Sequence, residues 1–282
     1  MGGGSYSYIR GLNSATHNAA KSTKEVFSVK HLHHQMDIKN KVRECRDSEE
    51  HPNAFPIILG LDVTGSMGRI PYELISDTLP TIMKRIMDEG IPDPQVCFLG
   101  IGDSHYDEAP IQVGQFESSD ELMEKWLKLI YLEGGGGGNE GEDYALAWYT
   151  ALHHTSVDSF TKHNRKGVLI TIGDEPVLKT ISKNTIKDLF GEGQSDINVS
   201  SLLSEVQKEW NVFHINVQDW SGVKARTKSC WNELLQDRVI HTEGDNSSAI
   251  ADAIIGAILL GWKNSEPSVK QTKENKSTEH IR

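Results

Sequence analysis

The stretch FPIILGLDVTGSMG, residues 55–68, decides how the chain is read. Its first half is continuously apolar over strand length, the pattern of a parallel strand covered on both faces; a half-exposed strand would alternate. Asp62 ends the run, and Thr64 and Ser66 follow at alternate positions in a turn loosened by Gly65 and Gly68. In an extended loop that spacing points residues 62, 64 and 66 to one side. One carboxylate and two hydroxyls so placed are hard oxygen donors, the ligand type of a hard divalent cation. Magnesium takes such oxygens at about 2.0–2.1 Å in an octahedron and keeps several waters. Ser66 also stands where it would cap the helix that follows.

Working outward, similar short apolar runs recur at QVCFLGIGD (95–103), GVLITIGDE (167–175), WNVFHINV (210–217) and RVIHTE (238–243). Helical patterns lie between them. Residues 74–87 place Leu74, Ile75, Leu79, Ile82, Met83, Ile86 and Met87 at three-to-four spacing, with Pro80 expected to kink the helix. A capping box from Ser118 to Glu121 opens a second helix with a Leu122–Trp126–Ile130 stripe, and a third carries Ile250, Ile254 and Ile258 on one face. Strands alternating with helices predict a doubly wound, mostly parallel α/β sheet with helices on both faces, of Rossmann-like type. APIQVGQFES (109–118) adds a short edge strand. The polar stretch 1–53 reads as an N-terminal extension, 54–262 as the domain, and the polar residues 263–282 as a disordered tail.

The chain of 282 residues is 37% hydrophobic and has a formal net charge of −11, which argues against nucleic acid as partner and suits a collector of cations. Cys45, Cys97 and Cys230 are far apart and odd in number, neither a disulfide framework nor a zinc pattern, and suit a reducing compartment. No signal peptide or membrane span is evident, so the expected location is cytoplasmic, away from membranes.

In open α/β sheets ligands sit beyond the carboxyl ends of the strands. Asp174 follows such an end, and if its strand neighbours that of Asp62 the two acids repel each other without a cation between them. The run of glycines at 134–138 forms a loop that brings Asn139, Glu140 and Glu142 as further oxygen donors, with a helix starting near Glu142. No Gly-Lys-Ser/Thr follows those glycines, so they are not a phosphate cradle of P-loop type. Asp103 reads as a loop-capping acid, and His31, His33, His34, His153 and His154 as surface or satisfied core residues. Trp126 and Trp148 fall on helical stripes and read as core.

DVTGS (62–66) resembles the Asp-x-Ser/Thr-x-Ser signature of von Willebrand factor type A (VWA) domains, and the resemblance runs over about residues 54–262 in the family's order. RDSEEHPN (46–53), GQFES (114–118), LEGGGGGN (132–139) and IGDE (172–175) resemble more closely a group of standalone bacterial and phage proteins of this type. The resemblance implies a metal-ion-dependent adhesion site with Asp62, Thr64 and Ser66 as first-loop ligands and Asp174 as the later acid, often acting through water. It implies a divalent cation, Mg2+ before Mn2+ or Ca2+, completed by an acidic side chain of a partner protein, and work beside an AAA-type ATPase. The family's middle-loop threonine is missing here, since none occurs between Glu133 and Tyr149; Glu142 takes its place, with Asn139 the alternative. A third carboxylate would weaken the cation's grip on an acidic partner.

Two other functions compete with the binding module. A metal-assisted phosphohydrolase would use Asp62 as nucleophile but needs an acid two residues on, where Thr64 stands. A structural subunit would use the cation only to pin loops.

Overall fold

The apolar runs fold as strands of one sheet in a computed structural model that describes residues 4–65, 67, 69–134, 141–217, 225–242 and 246–265. They are β1 (Phe55–Asp62), β2 (Pro94–Ile101), β3 (Ile111–Val113), β4 (Gly167–Gly173), β5 (Trp210–Val217) and β6 (Val239–Thr242). Their spatial order is β6-β5-β4-β1-β2-β3, and all pairings are parallel except the antiparallel β2–β3 edge. Every residue of β1, β2, β4 and β5 is buried, which is why these strands are apolar throughout.

Helices cover both faces. They are α1 (Tyr8–Ala19), α2 (Leu79–Asp88), α3 (Asp120–Lys128), α4 (Ala145–His153), α5 (Val199–Val206), α6 (Ala225–Leu235) and α7 (Ser247–Ser265). Ile57, Leu59 and Leu61 of β1 share one core with α2, α3 and α7, through residues such as Met83, Leu127 and Ile254. Ile58 points the other way into a second core with Trp148 of α4, Val206 of α5 and Trp231 of α6. Trp126 and Trp148 are core residues, as their helical spacing suggests.

Local details depart from the sequence expectations. Ahead of Pro80 the helix widens into a π turn, Leu74–Thr78, in which the Leu79 N–H reaches the Leu74 carbonyl. Pro80 follows directly as the second residue of α2. Ser119, not Ser118, caps α3 by accepting from the Leu122 N–H, because Ser119 is the last extended residue before the helix. The buried stripe of that region is Met123, Trp126, Leu127 and Ile130, with Leu122 only half-buried. Helix α4 starts at Ala145, three residues after Glu142, because Glu142 is engaged in an isolated parallel bridge to Val177.

The N-terminal stretch folds onto the helical layer. Arg10 donates from Nε and Nη2 to the two carboxylate oxygens of Asp120 at 3.0 and 2.9 Å, and the Asn18 side chain donates to Glu124 at 3.1 Å. Of the C-terminal tail, residues 263–265 continue α7 and the rest lies outside the described residues. From β1 the chain runs outward through β2 and β3, then returns to β4 on the other side of β1. The sheet therefore reverses direction between β1 and β4, and a crevice opens at the carboxyl ends of those strands.

Candidate functional site

Asp62 closes β1 at that crevice and is 1% exposed. Its Oδ1 accepts from the Thr64 N–H at 3.0 Å and the Thr64 hydroxyl at 2.6 Å; its Oδ2 accepts from the Tyr144 hydroxyl at 2.6 Å. Burial raises the Asp62 carboxyl to about 6, the hydrogen bonds from Thr64 and Tyr144 opposing it and the nearby charge of Asp174 adding to it.

Asp174 is brought alongside because β1 and β4 pair in parallel, with Leu61 opposite Ile172. The loop after β4 is tied down from two directions. Trp231 of α6 donates from its indole nitrogen to the Glu175 carbonyl at 3.0 Å, and Glu142 donates its N–H to Pro176 at 2.8 Å while its carbonyl accepts from Leu178 at 3.1 Å. Glu142 is thus carried into the crevice by backbone bridging. Its side chain is buried, Oε2 has no hydrogen-bond partner among the described residues, and its carboxyl is pushed up to about 9 by burial first and then by Asp62, Asp103, Asp107 and Asp143.

The structure therefore brings Asp62, Thr64, Glu142 and Asp174 to one rim of the sheet. Ser66 and Asn139 lie outside the described residues, as does most of the glycine run. Of the residues set aside from the sequence, Asp103 caps its loop by accepting from the His105 N–H at 2.8 Å. His154 is buried against the Lys41 carbonyl at 2.9 Å, and His31 meets Glu108 at 3.0 Å on the surface.

Tyr144 is the residue that sequence reasoning missed. It is fully buried beside Trp231 and His214, with ring centroids 5.4 and 5.3 Å away, and its hydroxyl links Asp62 to the loop of Asp174. Gly173 makes room for it: a Cβ there would stand 1.9 Å from the Tyr144 hydroxyl oxygen. The signal available beforehand was a polar-tipped tyrosine opening an otherwise apolar helix, with a glycine ending the strand before Asp174.

The donor set is oxygen only; the charge of Asp174 raises the Asp62 carboxyl, that of Asp62 raises Glu142, and Glu142 Oε2 is buried with no hydrogen-bond partner among the described residues. These residues fit a hard divalent cation.

The chain matches no protein-family model and no curated protein. Among solved structures it is similar to the pilus adhesin SpaC from Lactobacillus rhamnosus GG in its open conformation, with 12% identity and a TM-score of 0.50, over 80% of this chain and 31% of the adhesin. Other similar structures are the vWF domain of the type V pili tip protein Mfa5 from Porphyromonas gingivalis (9% identity, TM-score 0.48, 76% of this chain and 97% of that one) and the SpRpn10 VWA domain (10%, 0.44, 72% and 96%). The shared feature is the fold, a mostly parallel six-stranded sheet with helices on both faces. The sheet order puts the topological switch point between β1 and β4, where Asp62 and Asp174 stand. The chain spans about a third of the adhesin's length, 31%, and the likeness at this identity concerns the fold.

Proposed function

We propose that this chain is a metal-dependent protein-binding module that grips an acidic side chain of a partner protein. The observation that carries the reading is the Glu142 carboxyl group, buried near Asp62 with Oε2 lacking a hydrogen-bond partner among the described residues. Asp62, Thr64, Glu142 and Asp174 would hold the cation, with Ser66 or Asn139 able to add an oxygen from the adjoining loops. Bound there, Mg2+, or else Mn2+ or Ca2+, would supply the positive point that a partner's carboxylate completes.

The three carboxylates favour tight metal binding over tight partner binding, so the partner's hold depends on further contacts around the rim. Three unpaired thiols fit the reducing cytoplasm, and among the described residues no helix is long and apolar enough to cross a membrane. The resemblance to standalone bacterial and phage proteins extends the reading to work beside an AAA-type ATPase. A phosphohydrolase gains no support, since the Thr64 hydroxyl is bound to Asp62 and serves no proton transfer.

Calorimetric titration with Mg2+, which takes oxygen ligands alone, tests the metal. The parent protein binds with measurable heat and the Asp62→Ala variant does not; equal heats in both end the proposal. Pull-down with Mg2+ present and then chelated tests the partner, which is released on chelation.

A further inference from the structure

We propose that Asp103, His105 and Asp143 form a second cation site, for a transition-metal dication such as Mn2+, beside the oxygen-only site and sharing no residue with it. One ligand atom from each of the three lies within 4.8 Å of those of the other two. They come from two pieces of chain that the fold brings together: Asp103 and His105 from the connection between β2 and β3, and Asp143 from the lead-in to α4. A weak backbone contact at 3.4 Å joins the pieces, from the Asp143 N–H to the Gly102 carbonyl.

Asp103 carries the argument. Its side chain is 0% exposed, and its two oxygens differ in their surroundings. Oδ1 accepts from the His105 N–H at 2.8 Å and lies 3.2 Å from the imidazole Nδ1, which accounts for its loop-capping role. Oδ2 is buried with no hydrogen-bond partner among the described residues. A carboxylate oxygen sealed from water without a donor is costly, and loop capping does nothing for it. A cation between Asp103 and Asp143 does.

The surroundings are built to hold these ligands. The Ser104 N–H donates to Asp143 Oδ2 at 2.7 Å, and Asp143 is 2% exposed. Asp107 accepts from the Asp103 N–H at 2.7 Å, which is possible only because residue 102 is glycine: a Cβ there would stand 2.4 Å from the Asp107 oxygen. Such outer hydrogen bonds fix the orientation of ligating groups. The His105 side chain is 65% exposed, which leaves a way in for the ion. Two carboxylates with one imidazole suit Mn2+ or Zn2+ better than Mg2+ or Ca2+, which take oxygen alone.

The test uses the full chain, with Mn2+ as probe, in calorimetry and pulsed electron paramagnetic resonance, on the parent protein and its His105→Ala and Asp62→Ala variants. Because His105 is mostly exposed, its removal leaves the fold intact, which melting curves in chelator verify. The expected result is one Mn2+ equivalent with nitrogen coupling in the parent protein, retained in Asp62→Ala and lost, or weakened roughly tenfold or more, in His105→Ala. If the bound Mn2+ shows no nitrogen coupling, or if stoichiometry and affinity are the same with and without His105, the second site does not exist. Loss of an oxygen-only equivalent in Asp62→Ala reports separately on the first site, so either proposal stands or falls without the other.

Discussion

Position 142 shows how one side chain registers the whole site. The Glu142 carboxyl is raised from 4.5 to about 9, so between those values the folded chain holds a proton that the unfolded chain has released. The group's contribution to stability therefore falls as pH rises across that window, and Asp62 behaves likewise between 3.8 and about 6. Replacing Glu142 with glutamine removes the penalty. The Glu142→Gln variant is expected to melt higher than the parent protein at pH 8 in chelator, by a few kcal/mol at about 1.4 kcal/mol per pKa unit, and to gain less from added Mg2+. A melting point equal to or below the parent's would contradict this account. That Asp62, Thr64, Glu142 and Asp174 offer oxygen donors in loops beyond apolar strands was legible from residue type and spacing. Tyr144 was not, since nothing in a helix-opening tyrosine announces that a glycine in another strand leaves space for its hydroxyl.

Among the elements, helix α3 separates what pattern can and cannot locate. The sequence Ser118-Ser119 offers two caps one residue apart, and either is compatible with the acidic residues that follow. The fold selects Ser119, whose hydroxyl accepts from Leu122, and leaves the Ser118 hydroxyl buried without a partner among the described residues. Ser119→Ala is expected to lower stability by about 1 kcal/mol, while Ser118→Ala is neutral or stabilising, as urea denaturation of the two variants will show. The reverse order would restore the capping box read from the sequence. The π turn before Pro80 has the same origin: proline announces a break in the hydrogen-bond ladder, but packing against the sheet decides whether the chain bends there or widens.

For the whole molecule, α1 lies across the layer of helices that covers one face of the sheet, held by the Arg10–Asp120 pair and by Asn18 on Glu124. Arg10 is 55% exposed, so that ion pair by itself contributes little, and the burial of Ala15 and Asn18 matters more. Deleting residues 1–22 is expected to lower the melting temperature by more than Arg10→Ala does, as differential scanning calorimetry will measure; equal effects would mean that the ion pair, not the packing, holds the segment. Hydrophobic patterning alone determined the α/β class, the strands and the helices on both faces, because a strand buried on two sides must be apolar throughout and this leaves a local mark. Only the tertiary structure decided which loops meet. Asp62 approaches Asp174 through strand pairing, Glu142 through a backbone bridge to the next loop, and Asp103 approaches Asp143 through a hairpin laid against α4. Those encounters depend on sheet order and on space left by glycines, properties of the assembled chain that no single segment carries.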